Sequence, residues 1–131
     1  MSDVAARSPV ARRPEVIVDF LFREGLLFVS VENIGEESAH RVRVRFSRRI
    51  FGVEGTREIS AKALFKKLEF LPPHKRIETF VDTSHSYFSR KQPTRITVRV
   101  TYRDGQNRVY RSVIKHNLEI YRDIGFVNKQ G

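Results

Sequence analysis

Apolar and polar residues alternate along most of the chain. From Glu15 it reads EVIVDFLF, with Val16, Val18, Phe20 and Phe22 on one parity and Ile17, Asp19 and Leu21 on the other, the two-residue period of a strand. Arg23-Glu24-Gly25 then offers a turn with glycine free to take positive φ, and Leu26 to Glu32 predicts a second strand with Leu27, Val29 and Val31 inward. After Asn33-Ile34-Gly35 comes the strictest alternation, Ala39 to Phe46, with Val42, Val44 and Phe46 facing one way and Arg41, Arg43 and Arg45 the other.

The pattern weakens between Ser47 and Ala63, where Gly52 and Gly55 interrupt it. Ser60 followed by AKALFKK fits either a capped helical turn or another strand. Leu68 and Phe70 precede Pro72-Pro73-His74-Lys75, a turn because two prolines cannot sit in a central ladder, and Ile77 to Val81 follows as a strand. Asp82 to Pro93 is polar around Tyr87-Phe88 and reads as a crossing loop whose aromatic pair plugs one end of the core. Arg95 to Tyr102 alternates with Ile96, Val98, Val100 and Tyr102 inward, Asp104 to Asn107 closes a hairpin, and Arg108 to Lys115 returns as its partner. Leu118, Ile120, Tyr121, Ile124 and Phe126 make the following segment apolar enough to pack.

About seven short strands with turns between them and no long amphipathic helix predict an all-β fold: an antiparallel, immunoglobulin-like, Greek-key β-sandwich, with an up-and-down barrel as the second choice. The 131 residues suit one domain. The expected organisation is a disordered tail over 1–13, a single domain over 14–127 and a frayed end over 128–131. There is no cysteine, hence no disulfide framework, thiolate metal site or thiol nucleophile. No apolar run reaches the length of a signal peptide or a spanning helix, so the expectation is a soluble, cytoplasmic protein.

Three stretches carry a resemblance: Val29-Ser30-Val31-Glu32-Asn33-Ile34-Gly35, then Ala39 with Val42 to Phe46, then Leu71-Pro72-Pro73-His74-Lys75. Together they resemble the bacterial cell-adhesion-related (CARDB-like) domains of immunoglobulin-like fold. Those domains carry a V-x-N-x-G turn after the second strand and a Leu-x-Pro-Gly turn before a later one. The resemblance covers most of Pro14 to Lys115 and implies a fold, with His74 standing where the family has glycine. Turn chemistry of this kind is nearly silent on activity.

Catalytic chemistry finds no foothold. His40, His74, His85 and His116 lie in separate segments without metal-ligand spacing. Asp82-Thr83-Ser84-His85-Ser86 gathers acid, hydroxyl and imidazole, but triads converge from separate elements of a rigid scaffold. Gly52 and Gly55 lack the Lys-Ser/Thr of a phosphate loop. The expectation is a non-enzyme that uses no cofactor.

Charge is more informative. The segments Ala39 to Arg49, Thr94 to Arg103 and Gln106 to Lys115 hold eleven of the 25 basic residues and no acid, while the remainder is nearly neutral. If the third strand and the last two are sheet neighbours, Arg41, Arg43, Arg45, Arg95, Arg99 and Arg111 share a solvent face without counter-charges, provided Arg111 points outward. Guanidinium groups about 7 Å apart repel by only about half a kcal/mol in water, so a fold carries such a face without strain. The expected partner is a protein with an acidic surface, docked through this face or an edge strand. The alternative is nucleic acid bound by the same face without base readout. Stacking platforms are not evident there, with Phe46 and Tyr102 inward and the direction of Tyr110 open.

Overall fold

The computed structural model describes residues 12–122. Its strands are β1 (Val16–Arg23), β2 (Leu26–Asn33), β3 (Ala39–Phe46), β4 (Phe51–Gly52), β5 (Arg57–Glu58), β6 (Leu68–Leu71), β7 (Arg76–Thr83), β8 (Arg95–Arg103) and β9 (Val109–Asn117). Between them lie a 3-10 turn, Ile59–Ala61, and two short helices, α1 (Ala63–Lys66) and α2 (Ser84–Ser89). The chain is mostly β, in antiparallel sheets of order β1-β2-β7 and β6-β3-β8-β9, with β4-β5 as a separate two-residue ribbon.

Alternate residues of both larger sheets enter one core. Val16, Val18 and Phe20 of β1, Leu27, Val29 and Val31 of β2, Val42 and Val44 of β3, and Ile96, Val98, Val100 and Tyr102 of β8 are all buried in it. Each such side chain contributes about 1.5–3 kcal/mol relative to leaving it exposed, which is why the parity of each strand follows its apolar set.

Asn33 ties the turns together. Its side chain is fully buried; Nδ2 donates to Glu37 O (2.8 Å) and Leu71 O (3.1 Å), and Oδ1 accepts from Glu15 N (3.1 Å) and Gly35 N (2.9 Å). One amide thus joins the start of β1, the β2–β3 turn and the end of β6. A Cβ on Gly35 would fall on Arg13 O, so the approach of the incoming chain requires glycine there. Arg13 O also accepts from Glu36 N at 3.0 Å, so hydrogen bonding begins ahead of Pro14.

Two segments differ from the sequence expectation. Asp82 to Pro93 is not a plain crossing loop: it contains α2, started by Thr83, whose hydroxyl accepts from Ser86 N at 3.0 Å. Six residues are too few to show a helical period. Tyr87 and Phe88 are buried as expected, and Tyr87 Oη donates to Pro93 O at 2.6 Å. In the weakly patterned stretch α1 forms, but Ser60 does not cap it; Ser60 Oγ accepts from Ile50 N at 3.0 Å. Phe65 of α1 is buried edge-on against Phe46, 4.9 Å between centroids. Gly52 packs against the β7 backbone, where a Cβ would overlap Val81 O.

Two outward carbonyls of edge strand β1 are met by side chains. His116 Nε2 meets Val18 O at 2.9 Å and Tyr121 Oη donates to Phe20 O at 2.8 Å. Leu118 is buried and Tyr121 partly so, whereas Ile120, also expected to pack, is exposed. The expectations for 1–11, Ile124, Phe126 and 128–131 fall outside the described residues. No helix among the described residues is long and apolar enough to cross a membrane.

Candidate binding face

The outward face of β6-β3-β8-β9 is set by register. Across the strands, Arg43 stands opposite Thr101 and Thr101 opposite Arg111; Arg45 stands opposite Arg99 and Arg99 opposite Val113; Thr97 faces Lys115 and Arg95 faces Asn117. Strands lie about 4.8 Å apart and same-face residues about 7 Å apart along a strand, so the cations form a close two-dimensional array. Arg111 points outward. All six arginines expected on this face from sequence lie on these three neighbouring strands.

Arg41 sits at a bulge. The register with β8 shifts between His40 and Arg43, and Arg41 takes φ 52°. Doubling two residues against one on the partner turns both His40 and Arg41 outward while Ala39 and Val42 stay buried. Arg41, Arg43, Thr101, Arg103, Val109 and Arg111, with Tyr102, line a shallow depression of about 270 Å³.

The face is not without counter-charges, contrary to expectation. Arg43 Nη2 contacts Glu69 Oε2 at 2.6 Å, and its Nη1 donates to Val42 O and Leu68 O. The hydrogen bond from Arg43 is the main reason the Glu69 carboxyl is held below its ordinary range. Glu69 lies on β6, outside the segments whose charge stood out in the sequence. Two further cations of those segments are also paired, Arg49 with Glu58 and Arg108 with Asp104. Arg41, Arg45, Arg95, Arg99 and Arg111 have no carboxylate within 4 Å among the described residues.

An aromatic that alternation did not reveal also lies here. Phe70 is 53% exposed, opposite His40, with ring centroids 5.4 Å apart. Its neighbour Leu71 is buried, so Phe70 points the other way, and a four-residue strand is too short for its alternation to show this. Val109 and Val113 are exposed on the same face. Tyr110 turns inward, stacked on Tyr102 at 5.5 Å with its hydroxyl donating to Asp104 Oδ2 at 2.9 Å.

Asp104 organises the β8–β9 turn. Burial alone would raise its pKa, but hydrogen bonds from Arg108 N and Nε, Tyr110 Oη and Gln106 N outweigh that and hold the carboxyl well below the usual range. The acid, hydroxyl and imidazole groups of 82–86 do not converge. Asp82 is buried on Arg90 Nη2 (2.5 Å) and Glu54 N (3.1 Å), Ser86 Oγ accepts from Arg90 Nε (3.2 Å), and His85 is exposed. Among the described residues no group of three or more His, Cys, Asp or Glu is placed to hold a metal ion.

The chain belongs to the family described as Domain of unknown function (DUF8453), which matches residues 5–122. No curated protein and no solved structure matches it.

Proposed function

We propose that this domain is a non-catalytic interaction module that docks an acidic protein partner on the outward face of β6-β3-β8-β9. The observation that carries the reading is the set Arg41, Arg45, Arg95, Arg99 and Arg111, gathered on one sheet face without carboxylate partners among the described residues. Arg45 and Arg99 stand directly opposite each other. Like charges in that relation destabilise a sheet by a few tenths of a kcal/mol, a cost that a bound anion removes. The immunoglobulin-like Greek-key reading, close to the cell-adhesion-related domains, draws support from the strand order β1-β2-β7 and β6-β3-β8-β9. On this reading the domain works in the cytoplasm and needs no cofactor.

A second reading, nucleic acid held without base readout, is favoured by Phe70 at the margin of the array, a surface on which a base can stack. Fluorescence anisotropy separates the two, using labelled polyglutamate and a labelled oligothymidine at two salt concentrations. The acidic-partner reading predicts polyglutamate binding that drops at least tenfold in Arg41→Ser/Arg45→Ser/Arg99→Ser with an unchanged melting temperature. Oligonucleotide binding with a log–log salt slope of about −4, as expected for six phosphate contacts on a single strand, supports the second reading instead. Retention of polyglutamate binding by the triple variant overturns the first.

A further inference from the structure

Strand β9 is the far edge of the four-stranded sheet. It pairs with β8 through nine consecutive residues with no register shift and contains no proline. The other long edges are partly covered: β1 at Val18 O and Phe20 O by the His116 and Tyr121 side chains, and β7 at Val81 O by the chain after β4, where Val53 N donates at 2.8 Å. Edge strand β6 is only four residues long. Among the described residues nothing pairs with the outer side of β9.

The ladder fixes which backbone groups face outward. At its two ends Asp104 N donates to Arg108 O and Leu118 N to Thr94 O. Hydrogen-bonded pairs alternate along an antiparallel ladder, so Tyr110, Ser112, Ile114 and His116 direct their N–H and C=O groups to β8. Val109, Arg111, Val113, Lys115 and Asn117 direct theirs to the open side. The side chains of this second set point to the basic face, while those of the first point toward the core and are only half-buried.

We infer that β9 takes an extended acidic peptide as an added antiparallel strand, with glutamates or aspartates at alternate positions beside Arg111 and Lys115 and apolar residues beside Tyr110 and Ile114. The inference rests on the acidic-partner reading and specifies how the partner enters. Directly opposed residues of an antiparallel pair share a face, so the acidic residues of the peptide sit on the cationic side. There they supply opposite charge to two cations without ion-pair partners among the described residues. A second copy is the poorer occupant, because two β9 edges paired about Val113 set Arg111 of each copy against Lys115 of the other.

The geometry makes a specific demand. In the added strand the acidic residues, not the apolar ones, donate their N–H groups to β9. The probe is a blocked octapeptide alternating glutamate with valine or threonine, titrated by isothermal calorimetry beside polyglutamate. Strand addition predicts that N-methylation of the glutamates weakens binding at least tenfold, while N-methylation of the other residues changes it by less than twofold. It also predicts slowed amide exchange at Arg111, Val113 and Lys115 on binding. Val113→Pro, which removes only an edge-facing N–H, should weaken binding similarly; the N-methylated peptides decide the question if that variant does not fold. Equal binding of both methylated peptides overturns strand addition and leaves the basic face standing, since the acidic segment then lies across the sheet. If neither the octapeptide nor polyglutamate binds, the acidic-partner reading fails as well and the cations serve to keep this edge from self-pairing.

Discussion

At the residue scale, the structure depends on single polar groups placed where the chain turns. Asn33 satisfies Glu15 N, Gly35 N, Glu37 O and Leu71 O with one side chain. Truncation leaves several buried groups unpaired at about 1–3 kcal/mol each. Asn33→Ala should therefore lose about 3 kcal/mol in urea unfolding, and Asn33→Asp should lose a comparable amount, because a carboxylate cannot donate to the two carbonyls. His74 presents the opposite case. It holds φ 65° in the Pro72-Pro73 turn, a conformation that costs a non-glycine residue about 1–2 kcal/mol. Relief of that strain outweighs the extra chain entropy glycine brings to the unfolded state. His74→Gly should then gain about 0.5 kcal/mol by thermal melting, and His74→Ala should gain nothing. The sequence already marked both sites through the Asn-Ile-Gly and Pro-Pro-His turns, although the fourfold use of the asparagine amide depends on which strands come together.

At the element scale, strands with strict alternation were legible and short elements were not. β3 spans Ala39–Phe46, as its Val/Arg alternation implies, because each inward valine is driven into the core and each arginine needs water. α2 is too short to leave a helical period, and the outward turn of Phe70, beside buried Leu71, lies in a four-residue strand too short for its alternation to be read. The pairing of Arg43 with Glu69 was hidden for another reason: the two are 26 positions apart and meet only when β6 docks on β3. The β8–β9 hairpin shows how one element responds to pH. Asp104 has a folded pKa below its unfolded one, so its contribution is full above the ordinary carboxylate pKa of about 4 and is lost as pH falls below it. Stability of the wild type should decline from about pH 4 downward more steeply than that of Asp104→Asn, which starts lower at neutral pH. Urea midpoints across that range check this; equal slopes would remove Asp104 as a source of acid sensitivity.

At the scale of the whole molecule, the two sheets carry different outward chemistry. On β1-β2-β7, Arg23 and Arg76 are engaged by Glu78 and Glu32, so charge there is matched locally. On β6-β3-β8-β9 Arg43 is matched by Glu69, but among the described residues Arg41, Arg45, Arg95, Arg99 and Arg111 have no such partner, and they collect on the sheet whose last strand, β9, has no neighbour beyond it among those residues. The uneven distribution of basic residues was visible in the sequence. Its geometry was not, because adjacency of β3, β8 and β9 is a property of topology. The central claim, that this face and not the opposite one receives an acidic partner, is tested most directly by amide chemical-shift mapping during a polyglutamate titration. The account predicts saturable shifts concentrated at Arg41, Arg45, Arg99, Arg111 and Val113, abolished by the triple serine change. Shifts centred on Phe28, Glu32 and Glu78 of the other sheet, or none at millimolar polyglutamate, would contradict it.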